Sequence, residues 1–528
     1  RSWSAAVDEL AGGVERTAEA LRAFAGVQRS SRIDPRRAPE LTALIEEFRH
    51  TGKAGPLHRA LAAVHDAPRV LREGLENRAF LTETAPWLDA TEAWGRAALG
   101  ALDMLSAQRA GRGAEAWAAR QSLPALVEWA NSSVWTGPDP GREVPVELDP
   151  VLAEFVEDSL VENTRWLGLA QPAAITNLPL LDGCFPVSHM TDGDPATYFW
   201  GAAAPAPGHF AGIDLGRPRP VTCVEVQMGS SDSPDDFIHE GVLEYSCDGA
   251  TWTEGEAFTG ETTVKVDLPA GTVARFVRLR VTKAQDNWVV VREFTVRRGD
   301  VLTVSGTPPP TGGSDFALAA DEDPGTAYEA AASASAGDAI LAELPSAREL
   351  RKVLVLQPGT ETAGGEVQIR TPEGWTTLGP LSGTGFTELP ARGIEADAVR
   401  LRWAPGSRPP AVSEILPVYA GDAPVSVGFT PSTVALETSD RAVLTAVLTS
   451  TRCEDQRLSV RTHPPKGITL TPARGDVPLP RGARAELPLE IRASADAAPG
   501  THHIPVTVHG NHGTPPARAT LSVTVWPG

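Results

Sequence analysis

A chain of 528 residues has room for three or four domains, each able to bury a core. With 41% apolar and 22% charged residues it reads as globular rather than disordered. Its net charge of −20 repels phosphate, which argues against nucleic acid and anionic membranes as partners, and no run of about 18 apolar residues is present to span a bilayer.

Residues 1 to about 168 read as helical. Leu41, Leu44, Ile45 and Phe48 carry the i, i+3, i+4, i+7 spacing of one buried face, and Trp94, Ala98, Ala101, Leu102 and Leu105 repeat it. Asp34-Pro35 and Asp149-Pro150 have the form of an N-cap followed by a first-turn proline. Trp3, Trp87, Trp94, Trp117, Trp129, Trp135 and Trp166 fall in this part, and tryptophan at helical spacing is expected to be core. An all-α bundle follows, with a polar loop around Gly137 to Glu143 before its last helix. The chain opens on Arg1-Ser2-Trp3 without methionine and reads as a piece of a longer protein.

From about residue 170 helical periodicity gives way to short β-rich runs separated by Gly, Pro, Asp and Ser. VTCVEVQM (221–228), GVLEYS (241–246), FVRLRV (276–281) and WVVVREFTV (288–296) alternate as strands of a sandwich. LRKVLVL (350–356), GEVQIRT (365–371) and AVRLRW (398–403) repeat their order. The two stretches are an internal duplication. TDGDPATYFW (191–200) recurs as ADEDPGTAYE (320–329), placing Asp192 on Asp321, Asp194 on Asp323 and Thr197 on Thr326. Each copy closes on a strand with a glutamate, Glu293 and then Glu414. From about 421 a third β unit begins, whose seven or so short strands suit an immunoglobulin-like sandwich.

The DGDP-x-T turn is the leading site candidate. Gly193 permits the tight conformation and Pro195 limits it, while two carboxylates, turn carbonyls and the Thr197 hydroxyl offer hard oxygens suited to Ca²⁺. Glu293 would add a carboxylate from far along the chain. The simpler reading is an Asx-turn capped by its own side chains. Cys184, Cys223, Cys247 and Cys453 lack C-x-x-C spacing, so no zinc or redox site is expected. Three of them fall in the first β repeat, which leaves one disulfide or buried free thiols as alternatives. No nucleophile elbow, zinc-protease helix motif, phosphate loop or dinucleotide fingerprint occurs. His502 and His503 are placed in a sandwich strand or turn; His509 and His512 could form a chance metal site, with solvated loop histidines the expected reading.

The order TDGDPATYFW, VTCVEVQ, GVLEYSCDGATW, FVRLRV, WVVVREFTV resembles a discoidin domain, the family of the coagulation-factor type C domains and related bacterial carbohydrate-binding modules. The resemblance covers roughly 172 to 298. It implies an eight-stranded jelly-roll sandwich, a structural calcium at Asp192, Asp194, Thr197 and Glu293, and a sugar site in loops at one end. Such a site wants an aromatic face for a pyranose and planar polar groups for its hydroxyls. Trp200, Asp235, Asp236, His239, Asn287, Trp288 and Arg292 are the loop candidates, with Phe199 and Trp288 also eligible for the core. The second copy resembles the family more faintly. Glu322 stands there in place of Gly193, which puts its turn and its calcium in doubt, and Tyr328 and Glu329 replace Phe199 and Trp200.

The helical part, with RSWSAAVDEL, ALRAFAGVQRSSRI and FLTETAPWLDATEAWGRAALGALDML, resembles the region after the catalytic barrel in retaining β-N-acetylglucosaminidases, including O-GlcNAcase and bacterial hyaluronidase-like enzymes. In that family an adjacent aspartate pair assists the substrate's own acetamido group. Asp235-Asp236 is the one adjacent Asp pair here, but it lies in a sandwich loop without a barrel beneath it and is rejected as catalytic.

The fold expected is multidomain, α then β: a helical bundle over 1–168, a discoidin-type carbohydrate-binding module over 169–298, a degenerate second discoidin-like β-sandwich over 299–420 and an immunoglobulin-like β-sandwich over 421–528. The function expected is that of the accessory, non-catalytic portion of a secreted, extracellular β-N-acetylglucosaminidase. It would hold the parent's catalytic barrel on glycans bearing Gal, GalNAc or GlcNAc. The competing expectation is a set of spacer or adhesion modules stapled by calcium, with no sugar site.

Overall fold

The computed structural model describes residues 38–526 apart from 75–77, 133, 137–142, 146–149, 170–171, 182–184, 248, 360, 421–424, 432, 451–454, 481–483 and 511–515. The chain divides into two compact units. One runs to Asn163 and includes 357–362 and 382–387; the other holds the rest.

The first unit is built on helices α1 (Ala38–Thr51), α2 (Ala54–Gly74), α3 (Arg78–Arg109) and α4 (Gly113–Asn131), and α5 (Pro150–Leu167) follows a short hairpin of Val134–Thr136 with Glu143–Pro145. The predicted faces are the buried ones. Ile45 and Phe48 of α1 meet Leu57 and Leu61 of α2 and Trp94, Ala98, Ala101, Leu102 and Leu105 of α3, with Leu41 and Leu44 at the margin. Trp94, Trp117 and Trp166 are buried and Trp129 packs partly buried on the core, so tryptophan here is core. Trp117 also donates its indole N–H to the Gln357 carbonyl at 2.8 Å, a residue of the same compact unit. Trp3, Asp34-Pro35, Asp149 and most of the predicted polar loop lie outside the described residues, as do the side chains of Trp87 and Trp135.

In the second unit the first sandwich has eight strands: β1 (Ala173–Thr176), β2 (Phe199–Trp200), β3 (Phe210–Met228), β4 (Glu240–Ser246), β5 (Thr253–Thr259), β6 (Thr263–Asp267), β7 (Val273–Val281) and β8 (Val290–Arg298). Strand β3 serves both layers. Its residues 210–214 pair with β1 and β7, whereas 221–228 pair with β6 and β8. The change happens at Gly216-Arg217-Pro218-Arg219-Pro220, where Gly216 takes φ 75° and the prolines cannot donate to a ladder. Alternation along the strands buries Phe199, Ile213, Val226, Leu243, Leu279, Val291 and Phe294 between the layers.

The second sandwich repeats this plan: β9 (Thr303–Gly306), β10 (Tyr328–Glu329), the long β11 (Ala339–Leu356), β12 (Gly365–Thr371), β13 (Gly374–Pro380), the long β14 (Phe386–Trp403), β15 (Ala411–Val412) and β16 (Glu414–Tyr419). Its own core gathers Tyr328, Ile340, Val355, Val367, Leu401 and Ile415. The last sandwich sets a four-stranded sheet against a five-stranded one, nine strands among the described residues where about seven were expected, with Thr433–Glu437 running parallel to Ala517–Trp526. His502 and His503 sit in its Gly500–His509 strand, as does His509, which pairs with Ser459 at the strand end and is not the loop residue expected, while His512 lies outside the described residues.

Cys223 is buried and Cys247 exposed, and no bridge joins these two. Cys184 and Cys453 lie outside the described residues. No described helix is long and apolar enough to cross a membrane.

Candidate functional site

Two places on the first sandwich gather the singled-out residues. One is the turn before β2. The Asp192 carboxylate accepts from the Asp194 amide at 3.0 Å and from the Thr197 hydroxyl at 2.6 Å, and Asp194 accepts from the Ala196 amide at 2.9 Å. Thr197 also donates its hydroxyl and its amide to the Asp194 carbonyl, each at 3.0 Å. Gly193 holds φ 79°, the left-handed backbone that glycine adopts without steric cost. This is the self-capped Asx-turn of the simpler reading, and the far glutamate joins it all the same.

Glu293 arrives from β8, where a bulge between Val291 and Glu293 interrupts the pairing with β3. Burial first, and then the negative charge of Asp192, push its carboxyl above the usual range, and the Gly193 amide partly offsets this. The Thr197 hydroxyl, acting against a smaller burial effect, holds Asp192 below its ordinary value. One Glu293 oxygen is buried with no hydrogen-bond partner. Among the described residues no three His, Cys, Asp or Glu side chains converge as a metal cluster. A cation here would therefore lean on main-chain carbonyls beside one or two carboxylates, a donor set calcium accepts. The orphaned Glu293 oxygen fits such an ion.

The other place is the rim beyond β2 and the start of β8. Trp200 and Trp288 meet edge to face with ring centroids 5.8 Å apart. Tyr198 and Phe185 continue the cluster, stacked at 5.0 Å, with Phe185 5.4 Å from Trp200. Neighbouring residues of a strand face opposite ways, so Phe199 is fully buried while Trp200 is only half-buried. Trp288 is 37% exposed and is not core. Trp200 has its indole nitrogen buried without a partner.

The polar candidates border this rim. Val290 donates its amide to the Asp236 carbonyl at 2.9 Å, tying the 229–239 loop to β8. The imidazole of His239 lies 3.0 Å from the Asp235 carbonyl and its ring packs on Phe237. Gln285 joins the two loops. It accepts from the His239 amide at 2.9 Å and donates to the carbonyls of Phe237 at 2.7 Å and Asn287 at 3.1 Å. Asp235 is exposed at the loop tip, and Asn287 enters through its backbone. Arg292 sits in the β8 bulge with Nε buried and unpartnered. Gln285, Phe185 and Tyr198 were not anticipated; a glutamine between two candidate loops and aromatics alternating toward Trp200 were the available signals.

The structure thus brings Trp200, Trp288, Asp236, His239 and Asn287 to one end, and Asp192, Asp194, Thr197 and Glu293 to one turn. Asp235-Asp236 lies between β3 and β4 in a sandwich loop.

The F5/8 type C domain family matches residues 174–294, and the family described as hyaluronidase post-catalytic domain-like matches 40–134. A curated chicken (Gallus gallus) protein, alpha-1,6-mannosyl-glycoprotein 4-beta-N-acetylglucosaminyltransferase, is 35% identical over 108 residues, 19% of this chain, which spans about a quarter of that relative, 23%. Solved structures that resemble the chain include chitosan-binding module 2 from a Paenibacillus chitosanase/glucanase with chitotriose, at 23% identity, 25% of this chain, 98% of that one and TM-score 0.21. The family 32 carbohydrate-binding module of Clostridium perfringens NanJ with galactose gives 16% identity, 24% and 92% coverage and TM-score 0.21. The paired CBM32 domains of C. perfringens ZmpB give 10%, 48% and 92%, and TM-score 0.22. Within this chain, residues 174–294 are an F5/8 type C domain, and residues 40–134 belong to the hyaluronidase post-catalytic domain-like family.

Proposed function

We propose that the first sandwich is a glycan-binding module and that the chain is the accessory, non-catalytic portion of a secreted β-N-acetylglucosaminidase. The observation that carries the glycan reading is the Trp200–Trp288 corner. Two indoles meet edge to face beside a polar loop pair, with Trp288 left open to solvent. A pyranose offers an apolar face to such a ring and hydroxyls to flanking polar groups. Asp236, His239 and Arg292 supply that polarity, and Gln285 holds the loops in register. The ligands are glycans bearing Gal, GalNAc or GlcNAc. The parent protein's catalytic barrel is the partner, and one weak site gains through tethering because it raises the local concentration of substrate at the linked barrel.

Calcium is the structural ion of this reading. Asp192, Asp194, Thr197 and Glu293 would hold it together with main-chain carbonyls of the turn, and its charge would relieve the buried Glu293 oxygen. The test is titration of the full chain, in calcium, with galactose, N-acetylgalactosamine and N-acetylglucosamine. Binding that disappears in Trp288→Ala while the fold is kept supports the module; silence toward all three sugars, with melting still calcium-dependent, leaves a metal-stapled spacer.

A further inference from the structure

The first two sandwiches share one plan but use equivalent loops differently. In the first, β3 stops at Met228, whose amide donates to the Thr262 carbonyl at 2.7 Å, and the 229–239 loop then borders the aromatic rim. In the second, β11 stops at Leu356, and the next residue, Gln357, donates its amide to the Gly385 carbonyl at 2.8 Å. Segments 357–362 and 382–387 are therefore the counterparts of the rim loop and of the turn that supports it. The rim indoles have no counterparts. Strand register sets Trp200 against Glu329, and Trp288, two residues before Val290, against Pro409.

Both segments fold in one compact unit with the helices. They meet α4 along Gly113, Trp117 and Gln121, which are four residues apart and so share one helix face. Trp117 is 1% exposed, yet it stands outside the bundle's main apolar cluster, which takes Leu123 and Ala130 from α4. The segments bury it instead. Its indole N–H donates to the Gln357 carbonyl at 2.8 Å, and the Gln121 side-chain oxygen accepts from the Gly359 amide at 3.4 Å. A buried indole is costly unless its N–H is paired, and Gln357 supplies that pair through its main chain.

Glycine permits the approach from both sides. A Cβ on Gly113 would run into the Phe386 ring. On Gly385, at φ 77°, it would fall 2.6 Å from the Gln357 carbonyl oxygen and 3.2 Å from the Trp117 indole nitrogen.

We propose that the rim loops of the second sandwich are a docking surface for α4 and not a sugar site. Their partner is a segment of the same chain, the Gly113, Trp117, Gln121 stripe, which brings the aromatic side chain that these loops lack. The end that lines the aromatic rim in the first sandwich serves in the second as an anchor for the helices. Nothing in this depends on whether the first sandwich binds sugar.

The experiment uses the full chain with ¹⁵N-labelled tryptophan, and reads solvent exchange of indole N–H groups by NMR. The Trp117 signal is identified by its loss in Trp117→Phe. It should exchange about tenfold or more slowly than that of Trp288, which is exposed. Gly385→Val wedges the segment away from α4 and should abolish this difference, with far-UV circular dichroism unchanged. Should that variant fail to fold, the native chain still decides: a Trp117 indole that exchanges as fast as that of Trp288 overturns the proposal. So does a Trp117 indole that stays fully protected in folded Gly385→Val. In a second arm, Trp288→Ala titrated with galactose, N-acetylgalactosamine and N-acetylglucosamine should bind none of them. Residual binding that strips Trp117 of its protection would make these loops a sugar site and refute the docking role. Silence of the native chain toward all three sugars, with Trp117 protected, sinks the glycan reading of the first sandwich and leaves the docking intact.

Discussion

Glu322 and Arg219, 103 residues apart, face each other as a carboxylate and guanidinium fork in which the Arg219 side chain is 1% exposed. Arg219 also donates Nε to the Leu215 carbonyl at 3.3 Å and pairs with Asp300 at 3.4 Å. Burial and the neighbouring Arg217 pull its own pKa downward, but a guanidinium stays charged at any accessible pH. Removing one partner of such a pair strands the other charge. Arg219→Ala is expected to destabilise the paired sandwiches by about 3–5 kcal/mol, measured by chemical denaturation of the full chain.

The same pair sets an acid limit. Burial pushes the Glu322 carboxyl up, but the charges of Arg217 and Arg219 overcome this and hold it down to about 2, from an ordinary 4.5. A depressed carboxylate contributes stability that is present above its unfolded value and lost as pH falls through the folded one. The pairing should therefore hold at pH 5 and weaken between about pH 4.5 and 2, by roughly 3 kcal/mol in all. Melting followed across that window in native chain and Glu322→Gln checks this: the variant should lose most of the slope.

At the rim, Trp288→Ala and Trp200→Ala should part company. Both remove a ring face and are expected to weaken monosaccharide binding about tenfold or more, read by titration calorimetry. Trp288, 37% exposed, should leave the melting temperature nearly unchanged. Trp200, half-buried against Tyr198, Phe185 and Trp288, should lower it. Phe199→Ala, one residue away and fully buried, should cost about 3–5 kcal/mol by opening the core.

With the first-turn calcium proposed above, chelation should act on the Asp192–Thr197 turn without unfolding the bundle. Loss of the ion proposed for the first turn would leave the repulsion between Glu293 and Asp192 without a cation to offset it. Scanning calorimetry with and without chelator should show the sandwich transition falling by several degrees, and Glu293→Gln should show a smaller fall.

Tyr328 offers an alkaline reporter. Its hydroxyl donates to the Pro308 carbonyl at 2.6 Å, and burial, aided by Asp338, pushes its pKa up to about 12. The neutral phenol is the favoured form, so its contribution is intact below pH 10 and lost as pH climbs toward 12. Tyrosinate absorbance should show one of the four tyrosines ionising late, a feature absent from Tyr328→Phe.

What was legible in the sequence were features that repeat at fixed spacing. The helical faces of α1 and α3 follow from period 3.6, the sandwich strands from period 2, and the pairing of Asp192 with Glu293 from its echo in Asp321 and Glu414. Glu322 was readable only as a departure from glycine. Its compensation lies in Arg217 and Arg219, in a Pro-rich run where no periodicity marks a side chain as buried. Gln285 was silent for a related reason. Its role is to join two loops through backbone carbonyls, which leaves no pattern in residue type.

The bend in β3 has a consequence for how such a module can be carried about. The first strand enters with Ala173 opposite Asp214, and the last leaves with Arg298 opposite Val221, so entry and exit flank the same corner. The aromatic rim lies at the other end of β8, where Val290 pairs with Trp200, about 25 Å along the strand. A host chain can therefore be cut at one point and closed around the whole sandwich with its rim left facing away from both joins. A unit plugged in by a single corner can be copied in tandem without obstructing its own working end.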